Sequence, residues 1–331
     1  MRFKDFLRIG RAQTYPASLL LMMTGFLVGG GNLFSFFALF LIMFAWFNHV
    51  FAFGDNSLID ALTGEDKRDI HKQHHPLVTG IVELKEATNV IQTGMFLTVL
   101  FGVILTVEAS GNRLLAALCF IVYIAAGHYY NNHFSKTSVF RGIPISICFT
   151  FLFLWAYFLS AKEFSPLILL CGGYIFLLEY FENDVEGSVK EIEAKEANLL
   201  RVLGVKVEKG NIHFSLGSRI WGWGLKLGSI FLMICVFTQL HSQHNMFTCL
   251  LFWLFVIIVI YFCEEILKSG KWDRVKALKN FSREEITSIY LIPIVLMPLV
   301  GCAEAILLMV AGVVYFLLMN YCLWGVFYPK V

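Results

Sequence analysis

Charge is what this sequence has least of. Of its 331 residues, 15% are Asp, Glu, Lys or Arg, against about a quarter in an ordinary soluble domain. That shortage excludes a soluble globular chain of this length. With 26 basic and 24 acidic residues the net charge is only +2, so there is no electrostatic grip on nucleic acid. No two cysteines have C-x-x-C spacing, and all eight lie inside apolar stretches. They read as small core residues, and neither a disulfide framework nor a zinc site is indicated. The opening MRFKDFLRIGRAQTYPA is basic and amphipathic, with no small-residue cleavage site before the first apolar run. It does not read as a secretory leader. Low-complexity segments are also missing, as is any polar segment large enough to fold alone.

What the chain has is apolar residue, 58% of the total, with a mean hydropathy of +0.70. It falls in blocks of roughly 20, the length that crosses a bilayer core as a helix. Candidate spans are 15–30, 33–54, 86–108, 114–131, 142–160, 165–181, 220–240 and 246–267, followed by an apolar region at 287–327. That last region contains Pro293, Pro298 and Gly301, which predicts either a short and a full helix or one kinked helix. The expected fold is an all-α polytopic bundle of nine spans, with ten as the alternative. It forms a single domain over 1–331, and the longest loop, 182–219, has the size of a helical cap.

Long polar loops at 55–85, 131–141, 182–219 and 268–286 alternate with short turns. These loops and the amino-terminal tail hold every Lys and Arg except Arg113, Lys162, Lys226 and Lys330. The positive-inside rule then puts this face, and the amino terminus, in the cytoplasm.

Two acidic stretches lie on that face, in the 55–85 and 182–219 loops. In the first, Asn56 and Asp60 are four apart, so on a helix their side chains lie one turn apart on one face. An amide oxygen and a carboxylate so placed suit a hard divalent cation such as Mg²⁺. In the second, Asp184, Ser188 and Glu191 share a helical face. Glu182 and Glu186 form a neighbouring ridge, which with Glu191 reads as a solvated surface laced by Lys190 and Lys195. The His71, His74, His75 cluster lacks the further ligand a zinc site needs. Lys226, just inside the seventh span, reads as a lysine snorkelling to the interface. Glu304, deep in the last apolar region, is left out of the site.

Two oxygen-rich helix ends facing each other at a membrane surface would hold Mg²⁺ ions around a diphosphate. Metal and basic residues, drawn from Lys67, Arg68, Lys72, Lys136 and Arg141, would neutralise the charge that develops as a C–O bond breaks. Apolar walls with aromatic faces would shelter the cation left behind. An isoprenyl diphosphate has the matching shape, a polar head and an oily tail.

These residues resemble the UbiA superfamily of intramembrane prenyltransferases. Asn56-x-x-x-Asp60 followed by His75-Pro76-Leu77-Val78-Thr79-Gly80 is similar to its first motif, an N-D-x-x-D-x-x-x-D run ending in R-P-L-x-S-G. Tyr180-Phe181-Glu182-Asn183-Asp184-Val185-Glu186-Gly187-Ser188-Val189-Lys190 is similar to its second, roughly Y-x-x-x-D-x-x-x-D-x-K, and Leu203-Gly204 to the L-G that follows. Arg8, Arg11 and Tyr15-Pro16 resemble the family's opening. Lys136, Arg141 and Pro144 resemble a basic segment assigned to diphosphate contact. The resemblance implies a nine-helix bundle whose central cavity opens to the cytoplasmic side and to lipid. It implies two Mg²⁺ ions on Asn56, Asp60, Asp184 and Ser188, and a diphosphate held by Lys72, Lys136, Arg141 and Lys190. The activity implied is transfer of a prenyl group from an isoprenyl diphosphate to a lipophilic or aromatic acceptor.

The departures are specific. Ser57 stands where the first motif often has Asp, His75 replaces the Arg of R-P-L, and Ser188 replaces the last Asp of the second motif. The longer loop before Pro76 leaves Glu65 or Asp66 as the third acid. A serine at 188 also resembles the metal triad of class I terpene cyclases, and some UbiA-type proteins cyclise the prenyl diphosphate. Cyclisation is therefore the alternative. A secondary transporter is disfavoured, because such proteins place charges midway through the membrane on broken helices.

Overall fold

The computed structural model describes residues 1–64, 74–131, 138–186, 199–208, 211–271 and 273–327. The described residues group into two compact units, each built from several stretches of chain.

The first unit comprises Met1–Phe120, Trp155–Lys162 and Ile306–Val331. It opens with a short helix α1 (Phe3–Ile9), a 3₁₀ turn and α2 (Tyr15–Val28), whose Pro16 sits in the first turn, where its missing N–H costs nothing. The 28-residue α3 (Phe36–Thr63) starts where the Ser35 hydroxyl accepts from the Ala38 N–H and stops at Gly64. There φ is +77°, a conformation that favours glycine. The next helix, α4 (Leu84–Val107), packs on α3 through small residues. Gly94 faces the Phe51 ring and Gly102 the Phe120 and Phe44 rings, so closely that a Cβ at either position would overlap them. Thr98 and Thr106 donate their hydroxyls to the Gly94 and Gly102 carbonyls, which satisfies polar groups in an apolar setting. Trp155 donates its indole N–H to Thr106 at 2.9 Å and packs between the Phe44 and Phe120 rings.

The second unit comprises Ile121–Leu154 and Glu163–Ala305. Two helices, α5 (Arg113–Asn131) and α6 (Gly142–Phe158), begin in one unit and end in the other. In the second unit α7 (Pro166–Phe181) runs into a π-helical turn over Glu182–Glu186. A one-turn helix α8 (Leu199–Val202) precedes strands β1 (Lys206–Glu208) and β2 (Asn211–His213). Then come α9 (Leu216–Gln239), α10 (Met246–Ile266), β3 (Gly270–Lys271) and α11 (Arg274–Val295). Side-chain caps at Ser215, Asn245 and Asp273 start α9, α10 and α11. Here α7 packs on α9, and α10 on α11. The strands form one antiparallel sheet in the order β1-β2-β3, with Val207 opposite Ile212 and Ile212 opposite Gly270. The sheet's apolar side, Val205, Ile212 and Phe214, joins Tyr180, Phe181, Val185, Leu225, Leu267 and Phe281 in one buried cluster. That cluster backs the π-helical turn.

Two sequence expectations change here. The 182–219 segment carries strands rather than a purely helical cap, and 274–286, expected as loop, is the start of α11. In the last apolar region Pro293 lies inside α11, a short α12 (Met297–Val300) follows, and Gly301 at φ +98° separates it from α13 (Cys302–Trp324). The short-plus-full alternative is thus closer than a single kinked helix. Among the described residues, α3, α4, α5, α9, α10 and α13 are long and apolar enough to cross a bilayer, and 12–28 and α6 are shorter apolar helices. The chain is an all-α integral membrane protein apart from its small sheet.

Candidate active site

In the first unit the donors are set by helix geometry alone. Asn56 and Asp60 lie on the last two turns of α3, and the Asn56 amide reaches the Asp60 carboxylate at 3.5 Å. Asp60 is buried and Asn56 half-buried. Ser57, where the resembling family often has an acid, points elsewhere: its hydroxyl donates to the Ile9 carbonyl at 3.0 Å, tying α1 to α3. An aspartate there would have to bury its charge against a carbonyl oxygen. The His75–Gly80 run forms a tight turn, in which the His75 carbonyl accepts from the Val78 and Thr79 N–H groups and Gly80 adopts φ +72°. Leu77 and Val82 pack with Leu58, Ala61 and Ile9 against the end of α3, so the turn closes the helix that carries Asn56 and Asp60. Two turns before Asn56, the buried His49 bonds Ser18 at 2.9 Å, Thr14 at 3.1 Å and the Arg11 carbonyl at 3.3 Å. Arg11 holds the left-handed φ of +47°, and its guanidinium lies over the Phe53 ring, 5.6 Å from the centroid.

In the second unit the donor sits on an irregular element. Asp184, 4% exposed, occupies the middle of the π-helical turn and accepts from the Trp221 indole N–H at 3.4 Å. Burial pushes its carboxyl up to about 7, against the opposing pull of the Trp221 hydrogen bond and the Arg141 charge. Arg141 immediately precedes α6. The next residue, Gly142, packs so tightly that a Cβ would come within 2.6 Å of the Tyr180 ring and 3.0 Å of an Asp184 oxygen. Asn183 accepts from the Tyr130 hydroxyl at 3.2 Å and donates to the Glu179 carbonyl at 2.8 Å.

Behind the turn lies a buried ionic network that corrects two readings. Lys226 does not snorkel: it is 0% exposed, pairs with Glu284 at 2.7 Å and Glu182 at 3.6 Å, and sits 4.1 Å from the centre of the Phe181 ring. Glu182 is buried in this network instead of lying on a solvated face. Burial and the Glu284 carboxylate hold the Glu182 carboxyl well above its usual range. Ser288 donates its hydroxyl to Glu284 at 2.6 Å, and the Ser288 carbonyl accepts from Tyr174 at 2.6 Å.

Of the residues singled out from sequence, Lys72, Lys136, Ser188 and Lys190 lie outside the described residues, as do Glu65, Asp66, His71 and Glu191. Trp221 was not singled out, and the role of Lys226 was missed. Among the described residues no three His, Cys, Asp or Glu side chains form a group that could hold a metal. The oxygen-only donors Asn56, Asp60 and Asp184 do fit Mg²⁺, which is bound by one or two carboxylates and completes its octahedron with water and phosphate.

The family model described as the UbiA prenyltransferase family matches residues 18–181. No curated protein matches the chain. Among solved structures the chain is similar to a UbiA homolog from Archaeoglobus fulgidus bound to GPP and Mg²⁺, at TM-score 0.64 and 17% identity over 92% of this chain and 99% of that one. A UbiA homolog from Aeropyrum pernix K1, in its apo form, gives 0.62 and 13% over 91% and 96%. A digeranylgeranylglyceryl phosphate synthase gives 0.60 and 14% over 92% and 98%. At such identities these likenesses establish the fold. Over residues 18–181, the first six predicted spans and just under half of the chain, the sequence matches the UbiA prenyltransferase family, and the fold shared with UbiA homologs extends that likeness over the rest.

Proposed function

We propose that the protein is a Mg²⁺-dependent intramembrane prenyltransferase, which ionises an isoprenyl diphosphate and passes the prenyl group to a lipophilic or aromatic acceptor. The observation that carries the reading is the placement of buried oxygen donors at the ends of two apolar helices, Asp60 on α3 and Asp184 just after α7. Mg²⁺ takes oxygen donors of this kind, one or two carboxylates completed by water and phosphate.

In this reading Asn56 and Asp60 hold one ion, and Asp184, with Ser188, the other. When bound, Mg²⁺ draws charge from the diphosphate oxygens and so eases departure of the leaving group. Arg141 beside Asp184, together with Lys72, Lys136 and Lys190, holds the diphosphate by charge-assisted hydrogen bonds. Aromatic side chains on the spans exclude water from the prenyl cation. The amino terminus and these loops are cytoplasmic.

The test is diphosphate release from isoprenyl diphosphates of several lengths by the purified protein with Mg²⁺. Turnover that depends on Mg²⁺ and Asp60 supports the reading, and a fully active Asp60→Ala protein rules it out. Mass spectrometry without acceptor separates transfer from cyclisation: a cyclic hydrocarbon from donor and Mg²⁺ alone would replace transfer with cyclisation.

A further inference from the structure

The second unit contains three ionisable side chains that the proposed chemistry leaves unused. Lys226, Glu284 and Glu182 lie on α9, α11 and the π-helical turn, and all three are buried. Replacing such a network by apolar residues of similar size is often neutral or stabilising, so stability alone does not account for it. Its place in the chain gives a second account. Glu182 and Asp184 belong to one five-residue turn, and α9 meets that turn at two points: the Lys226 ammonium faces the Glu182 carboxyl as an ion pair at 3.6 Å, without a hydrogen bond, and the Trp221 indole N–H donates to Asp184. Lys226 also lies over the ring of Phe181, the last residue of α7.

A π-helical turn holds one residue more than an α-helical turn and forms mostly at functional sites. If it relaxed to the α register, every later side chain would rotate by roughly one residue's worth, about 100°. Asp184 would then leave its place between Trp221 and Gly142. Something outside the turn must hold the register, and Glu182 is one side chain through which the fold does so, beside Asn183 on Tyr130 and Asp184 on Trp221. It enters from the turn into a network already fixed at its far side by Ser288 and Tyr174.

We infer that Lys226 and Glu284 are positioning residues: through Glu182 they lock the π-helical turn and so aim Asp184 at its metal ion. This rests on the reading of Asp184 as a metal ligand. Neither Lys226 nor Glu284 touches metal or substrate.

Mn²⁺ binding to the full-length detergent-solubilised protein, followed by electron paramagnetic resonance, tests it alongside thermal melting. Asp184→Ala sets the affinity that the turn contributes. Glu182→Leu cuts the tie while leaving the Lys226–Glu284 pair intact, and Lys226→Met with Glu284→Met removes both partners together. Each is expected to weaken Mn²⁺ binding by about tenfold or more, the scale seen when a ligand's supporting partner is lost. Glu182→Gln, which keeps an oxygen within reach of Lys226, is expected to recover most of it. If Glu182→Leu fails to fold, the paired substitution decides. Parental Mn²⁺ affinity in the folded variants, with only the melting temperature lowered, overturns the inference alone. Parental affinity in Asp184→Ala overturns the metal-ligand reading and this inference with it.

Discussion

The two units present their candidate metal ligands by different means. In the first, an uninterrupted helix does the work: a spacing of four puts Asn56 and Asp60 on adjacent turns, and the helix's own hydrogen bonds fix both. In the second, Asp184 stands on an irregular turn that depends on Trp221, Gly142 and a buried ionic network for its direction. The difference teaches where sensitivity should lie. A ligand on a regular helix is lost only when the ligand itself changes. One on a π-helical turn is also lost through its neighbours.

The largest expected effect ignores that difference. Asp60→Ala and Asp184→Ala should each lower Mg²⁺-dependent diphosphate release by on the order of a hundred- to a thousandfold, and chelating the metal should abolish it; equal turnover in either variant would remove that ligand from the site. Next, Gly142→Ala should cost about tenfold or more in turnover, because the new methyl displaces Asp184 or Tyr180 and small misplacements near the chemistry are expensive. A matching change in the first unit, Gly64→Ala beyond Asp60, should leave turnover within about twofold despite the strain of its positive φ. Similar losses in both would erase the contrast.

A smaller effect follows pH. The Asp184 carboxyl, raised from 3.8 to about 7, binds its proton more tightly folded than unfolded. In metal-free buffer that favours the folded state below pH 4, and the benefit is lost as pH rises to about 7. The melting temperature should therefore fall between these limits, and Asp184→Asn should flatten the slope. Mg²⁺ affinity runs the other way, rising as the carboxyl ionises. Trp221→Phe, which removes a hydrogen bond that favours the charged form, should shift that rise to higher pH; an unshifted profile would deny Trp221 its role. The smallest effect belongs to Ser57→Ala, which should cost about 1 kcal/mol of stability with turnover unchanged.

What the sequence disclosed follows from the range of each interaction. Asn56 and Asp60 were legible because helical periodicity alone brings them together, and long apolar runs marked the spans. The beginning of α11 was not legible by hydropathy, since residues 274–286 are polar and the signal that starts the helix is one cap at Asp273. Strands of two and three residues are too short for an alternating pattern to show. Lys226 read as a snorkelling lysine because its partners, Glu182 and Glu284, are remote in sequence and meet it only in the folded chain. Ser57 read as a departure from the first motif, yet its partner is the Ile9 carbonyl, a tertiary contact that no local pattern announces.

One arrangement bears on how the molecule is made. The first unit includes residues from 306 onward, and Arg8 donates to the Leu323 carbonyl while lying over the Trp324 ring. Synthesis runs from the amino end, so α1 to α4 wait in the membrane until α13, made after the second unit, completes their packing. The second unit is thus complete before the first, and a ribosome stalled before Leu323 leaves the first open.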